Sequence, residues 1–176
     1  MFKLSKGNTI ICGSLTKFDL GGADTYFYLD PNGRLEKNIE IRIPDPAKDL
    51  VATLKLMDLV KLRNSELILG IDEMGRTKIN LGGGNNEIGP IGDGETLILI
   101  GTCIIKGTLK IFDPGSTTSY FPFINGLEVG IDSMPVAMMN TLKTLKLSDV
   151  RNCTVDFNLG QVILRENTGK TVVIKR

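Results

Sequence analysis

Histidine is absent from the sequence, and that bounds the chemistry before any fold is considered. Serine–histidine–aspartate and cysteine–histidine catalysis both use an imidazole as general base, and most zinc and iron sites use one as a ligand. The three cysteines, Cys12, Cys103 and Cys153, are scattered and odd in number. They suit reduced thiols in a cytosol better than a disulfide framework or a four-thiolate zinc site. Thr168-Gly-Lys-Thr171 resembles the end of a phosphate-binding loop. The leading glycine of that pattern is replaced by Leu164, and the following Val172–Ile174 is strand-like rather than helical. The stretch reads as a hairpin turn.

Asp19, Asp24, Asp30 and Asn32 carry the hard oxygens that calcium prefers, but their spacing does not match a twelve-residue calcium loop. Asp19 and the later Asp113 read instead as residues that open tight turns. Two aromatic sets, Phe18 with Tyr26-Phe27 and Phe112 with Tyr120-Phe121, could stack bases or sugars. Without tryptophan or a positive excess, core packing is the better account. The richest methionine stretch is Asp132-Ser-Met-Pro-Val-Ala-Met-Met139. Flexible thioethers suit adaptable surfaces as well as irregular cores, so Met134, Val136, Met138 and Met139 are the candidate partner contact. No catalytic, cofactor or metal residue is assigned, and no cofactor is expected.

What positions these residues is a repeat. At one constant offset, Gly7, Ile10, Ile11, Gly13, Leu15, Phe18, Asp19, Gly21, Tyr26 and Phe27 match Gly101, Ile104, Ile105, Gly107, Leu109, Phe112, Asp113, Gly115, Tyr120 and Phe121. The offset then shrinks through loops. Asn32-Gly33 meets Asn125-Gly126, Leu35-Glu36 meets Leu127-Glu128, and Thr53-Leu-Lys55 meets Thr141-Leu-Lys143. Arg63-Asn64 meets Arg151-Asn152, and near the end Gly75-Arg-Thr77 meets Gly169-Lys-Thr171. The pattern is that of a unit duplicated in tandem: residues 1–80 and 95–176, with the glycine-rich 81–94 as linker. Two copies are too few for a solenoid, so a pair of related domains or one pseudo-twofold domain is expected.

Each copy reads as mainly β, a small sandwich or barrel-like unit with one short helix. Asn8–Cys12, Leu15–Phe18 and Tyr26–Leu29 are strand-like, and Asp30-Pro-Asn-Gly33 is hairpin chemistry. Leu35–Ile43 alternates apolar and polar residues, as a half-buried strand does. A helix follows, with Asp45 as cap and Leu50, Val51, Leu54 and Met57 at helical steps; its counterpart starts at Ser133. Hairpins close the copies, Glu66–Ile71 with Arg76–Leu81 and Gln161–Arg165 with Lys170–Lys175.

Charge is balanced, with 21 basic and 20 acidic residues, which makes nucleic acid an unlikely partner. No apolar run is long enough for a secretory signal or a membrane span. The expected location is the cytoplasm, or a virion assembled there. The expected function is non-enzymatic: a structural subunit, such as a phage head, tail or baseplate component, that oligomerises through strand edges and its more apolar second copy. The alternative is a small ligand-binding or inhibitory module with a pocket between the copies. A carboxylate enzyme would require paired acids with mismatched proton affinities in one pocket.

Overall fold

A computed structural model describes residues 1–33, 38–70, 76–82, 87–115, 118–158 and 160–167. The chain is mainly β. The first half forms β1 (Phe2–Lys6), β2 (Thr9–Leu20), β3 (Asp24–Asp30) and β4 (Ile39–Pro44). Helices α1 (Lys48–Lys55) and α2 (Leu59–Leu62) follow, then β5 (Ser65–Leu69) and β6 (Lys78–Leu81). The second half forms β7 (Thr96–Ile100), β8 (Cys103–Gly107), β9 (Asp113–Pro114), β10 (Ser119–Pro122) and β11 (Glu128–Ile131). Helices α3 (Val136–Lys143) and α4 (Leu147–Val150), and strands β12 (Cys153–Asp156) and β13 (Ile163–Glu166), complete it.

The strands of the two halves do not stay in separate sheets. Among the described residues they join in a single 13-stranded sheet, curled into an open half-barrel. One leaf runs β6-β5-β1-β2-β8-β7-β12-β13, and the other runs β2-β3-β4-β11-β10-β9. Pairings recur between the halves. The antiparallel β1·β2, β3·β4 and β5·β6 ladders and the parallel β1·β5 ladder are matched by β7·β8, β10·β11, β12·β13 and β7·β12. Two antiparallel ladders cross between halves. In β2·β8, Ile11 opposes Ile105; in β4·β11, Ile39 opposes Ile131.

Gly13 is where β2 passes from one leaf to the other. A Cβ there would lie 2.7 Å from Cys103 Sγ and 2.9 Å from Leu29 Cδ1, so only glycine lets the leaves close. Beyond it the strand continues unbroken to Leu20, with a bulge between Leu15 and Lys17. The two expected strands at Asn8–Cys12 and Leu15–Phe18 are therefore one. In the second half the equivalent run is interrupted: β8 stops at Gly107, and beyond it, among the described residues, pairing continues through the isolated Leu109–Phe123 bridge and the short β9. Asp19 accordingly sits inside a strand opposite Tyr26, not at the head of a turn.

The alternation read in the sequence orients β4, with Ile39, Ile41 and Ile43 buried and Glu40 and Arg42 outward. They join Phe2, Phe27, Leu50, Leu54, Phe121, Val129 and Leu142 in one core drawn from both halves. Fully burying one such aliphatic or aromatic side chain contributes about 1.5–3 kcal/mol. The helices begin two residues later than expected. Asp45 and Ser133 take left-handed backbone (φ 46° and 59°), turning the chain out of β4 and β11, and Ala47 and Pro135 become the N-cap residues. Neither helix has a side-chain cap, because the polar residue is spent on the turn.

The glycine-rich connection is not a free linker over its described residues 87–94. Ile88 is buried, and packs with Ile91 against Cys12, Leu97 and Ile104 on the outer side of the sheet. Two buried lysines hold this strap: Lys3 Nζ donates to the Glu87 carbonyl at 2.7 Å, and Lys106 Nζ to the Pro90 carbonyl at 3.4 Å. Lys106 also pairs with buried Glu95 at 3.6 Å. At the end of the chain, the strand expected at Gln161–Arg165 is β13, which pairs with β12; its expected partner, 170–175, lies outside the described residues. Residues 168–176, including Thr168–Thr171, lie outside the described residues, as do 34–37 and 71–75.

Candidate functional site

The helices carry the most exposed aliphatic groups. In α1, Leu50 and Leu54 face the core, while Val51, Ala52 and Leu56 line an open groove of about 490 Å³ with Pro46, Lys48 and Lys55. Leu56 is 86% exposed and Val60, on α2, is 71% exposed. Aligned through Thr53-Leu-Lys55 and Thr141-Leu-Lys143, the corresponding positions of the second half are Thr144 and Ser148. The two halves therefore present different chemistry at the same place in the fold. Asp49 and Asp58 next to this patch are already engaged, accepting from the Thr77 and Lys61 amides.

The candidate contact Met134, Val136, Met138 and Met139 is divided by α3. Met138 and Met139 are buried, and the Met139 sulfur accepts a hydrogen bond from the Ser119 hydroxyl at 3.3 Å. Met134 is half-buried and Val136 is 75% exposed. Met134 and Met138 share a cleft of about 260 Å³ at the junction of the halves. Pro31, Asn32 and Asn38 line it from the first half, and Phe157 and Asn158 from the second.

The aromatic sets divide by residue type. Phe27 and Phe121 are fully buried, and Phe18 and Phe112 lie against them with ring centroids 6.4 and 5.6 Å away. All three tyrosines of the sequence point to the opposite side of the sheet. One row across successive ladders reads Lys17, Tyr28, Glu40, Gly130, Tyr120. Gly130 leaves a notch of about 110 Å³, lined also by Asn38, Thr118 and Asp132. Burial raises the Glu40 carboxyl above its usual range, and Glu128 and Asp132 raise it further against the opposing pull of Arg42. Asp24 is lowered by its 2.9 Å hydrogen bond from Arg42 Nε. Two acids on one face thus have their proton affinities pushed apart.

The calcium reading does not assemble. Asp24 is bound to Arg42 and Tyr26, and Asp30 accepts from the Asn32 amide at 2.9 Å. Among the described residues no group of three or more acidic or thiol side chains could hold a metal ion. Burial pushes the Cys12 thiol up to about 11 and Cys103 up to about 12, which keeps both as protonated core groups. Among the described residues no helix is long and apolar enough to cross a membrane. Comparison with known proteins gives no match to a family, to a curated protein or to a solved structure.

Proposed function

We propose that the chain is a non-enzymatic subunit of a protein assembly, descended from a duplicated unit whose two copies sit about a pseudo-twofold axis. The duplication is supported by the recurring ladders and by the crossing registers, where Ile11 meets Ile105 and Ile39 meets Ile131. An axis passing between matching positions of two copies would produce such registers. The assembly reading rests on Leu56 and Val60. Two large aliphatic side chains left 86% and 71% exposed on neighbouring helices, where the other half has Thr144 and Ser148, fit a surface that one half covers with a partner. The partner is another protein subunit, a second copy of this chain being the first to test. Val136 in the second half and the strands β6, β9 and β13, which pair on one side only among the described residues, are further points of contact. A virion head, tail or baseplate is the kind of assembly such a subunit would serve.

Sedimentation equilibrium tests this. The wild-type chain should self-associate in a concentration-dependent way, and L56K/V60K should shift it towards monomer while keeping its circular dichroism spectrum. A monomer across the whole concentration range, unchanged by L56K/V60K, would overturn self-assembly. The alternative reading, a small-ligand module, is favoured by the junction cleft between Asn38 and Met138.

A further inference from the structure

A different inter-half cavity, of about 360 Å³, is lined by Met1, Ser14, Leu15, Arg63, Asn64 and Thr102. Its polar groups are two hydroxyls, an amide, a guanidinium and the Met1 amino group, which donates to Asn64 Oδ1 at 3.3 Å, with no carboxylate among the lining residues. Arg63 directs its Nε–H to the Leu15 carbonyl at 2.9 Å. That single bond fixes the plane of the guanidinium and leaves its two terminal amino groups without a hydrogen-bond partner among the described residues. The Ser14 hydroxyl likewise has none there. The nearest acid on the adjoining strand, Asp30 opposite Ser14, is 1% exposed and accepts from its own turn at Asn32, so it does not line the cavity.

The second half carries the matching residues with a different set of partners, and there Arg151 Nε is buried without a hydrogen-bond partner among the described residues. Arg151 again reaches the carbonyl of the matching leucine, Leu109, through Nη2 at 3.0 Å. Thr108, which matches Ser14, accepts from Asn8 Nδ2 at 2.8 Å, and Asn8 in turn matches Thr102. Asn152, which matches Asn64, accepts from the Gly94 amide at 2.6 Å. The two copies differ at the hydroxyl: Thr108 is hydrogen-bonded to Asn8, whereas Ser14 has no side-chain partner among the described residues, although Asn64 accepts from the Met1 amino group at 3.3 Å and Thr102 donates to the Pro31 carbonyl at 3.4 Å.

We propose that this cavity, with the oriented Arg63 guanidinium and the Ser14 hydroxyl, is a binding site for a small organic anion, a carboxylate or phosphate monoester. The two terminal amino groups of Arg63 would take the anion end-on, the Ser14 hydroxyl would donate its hydrogen, and the Met1 side chain would contact the apolar body, with Thr102, held to the Pro31 carbonyl, forming the rim. A planar guanidinium already oriented by a backbone carbonyl loses little freedom on making a bidentate contact. The site is supplied by both halves, because Thr102 comes from the β7–β8 turn.

The test uses the full chain and amide chemical-shift mapping at low ionic strength, with inorganic phosphate, phenyl phosphate and benzoate as probes and sodium chloride as the matched control. The expected result is saturable shifts at Ser14, Arg63, Asn64 and Thr102 at probe concentrations up to about 10 mM, with phenyl phosphate or benzoate binding more tightly than phosphate alone. R63Q should weaken binding at least about tenfold. S14D, which leaves the Arg63–Leu15 bond intact and places a negative charge in the cavity, should do the same. R151Q should leave binding unchanged. Absence of saturable shifts at these residues in the wild type, or equal binding by S14D, would overturn the proposal. A comparison of phosphate with benzoate separates the two anion classes.

Discussion

Ile11 of β2 lies directly opposite Ile105 of β8 in an antiparallel ladder, and both side chains are fully buried. These two residues also occupy matching positions in the repeat. The contact that ties the halves together is therefore made by the same residue from each. One isoleucine position does two tasks, packing its own half and sealing it to the other.

Where the halves touch less evenly, substitution should separate matching residues. Gly7 and Gly101 both take positive φ, 56° and 55°. A Cβ on Gly101 would lie 1.9 Å from the Pro31 carbonyl oxygen, whereas on Gly7 the nearest atom is 3.9 Å away. We expect G101A to cost about 2–5 kcal/mol, combining strain with a backbone clash, and G7A only about 1 kcal/mol. Urea denaturation of the two variants checks this, and equal losses would contradict the close approach.

The Tyr26-Phe27 pair should divide in the same way. Phe27 is fully buried and stacked on Phe2 at 5.2 Å, while Tyr26 faces outward beside Tyr28. F27A should cost about 3–5 kcal/mol. Y26A should cost no more than about 1 kcal/mol, measured in the same denaturation experiment.

Glu40 makes a pH-dependent expectation. Its carboxyl is raised from the ordinary 4.5 by burial and by Glu128 and Asp132. The folded state therefore holds the proton more tightly than the unfolded chain does. Below pH 4.5 both states are protonated and the group has no effect. As pH rises through the raised value the folded state carries an ion it disfavours, and stability falls. E40Q should thus raise the melting temperature at pH 7 and make no difference at pH 3.5. A gain of equal size at both pH values would show that charge is not the cause.

The sequence carried more of the architecture than of the surfaces. The Ile39–Ile43 alternation and the Asn32-Gly33 turn are local signals, written in side-chain type and spacing, and the structure uses them as such. What was not legible depends on which element lies alongside. The facing of α3, which buries Met138 and Met139 and exposes Val136, follows from the sheet beneath it. The strap over Cys12 and Ile104 required knowing that Lys3 and Lys106 lie on one face. The Thr108 hydroxyl is bonded and the Ser14 hydroxyl is not, because Asn8 stands where the other half has Thr102, and no spacing rule announces that.

The crossing ladders also set an order of events during synthesis. When β4 has left the ribosome, Ile10–Cys12 and Ile39–Arg42 still lack the partner strands that residues 104–106 and 128–131 will provide. At about 5–20 residues per second those partners arrive on the order of ten seconds later. Throughout that interval the nascent first half carries two bare, isoleucine-rich strand edges. Its safe passage through translation depends on how quickly the second half follows and on what shields those edges meanwhile.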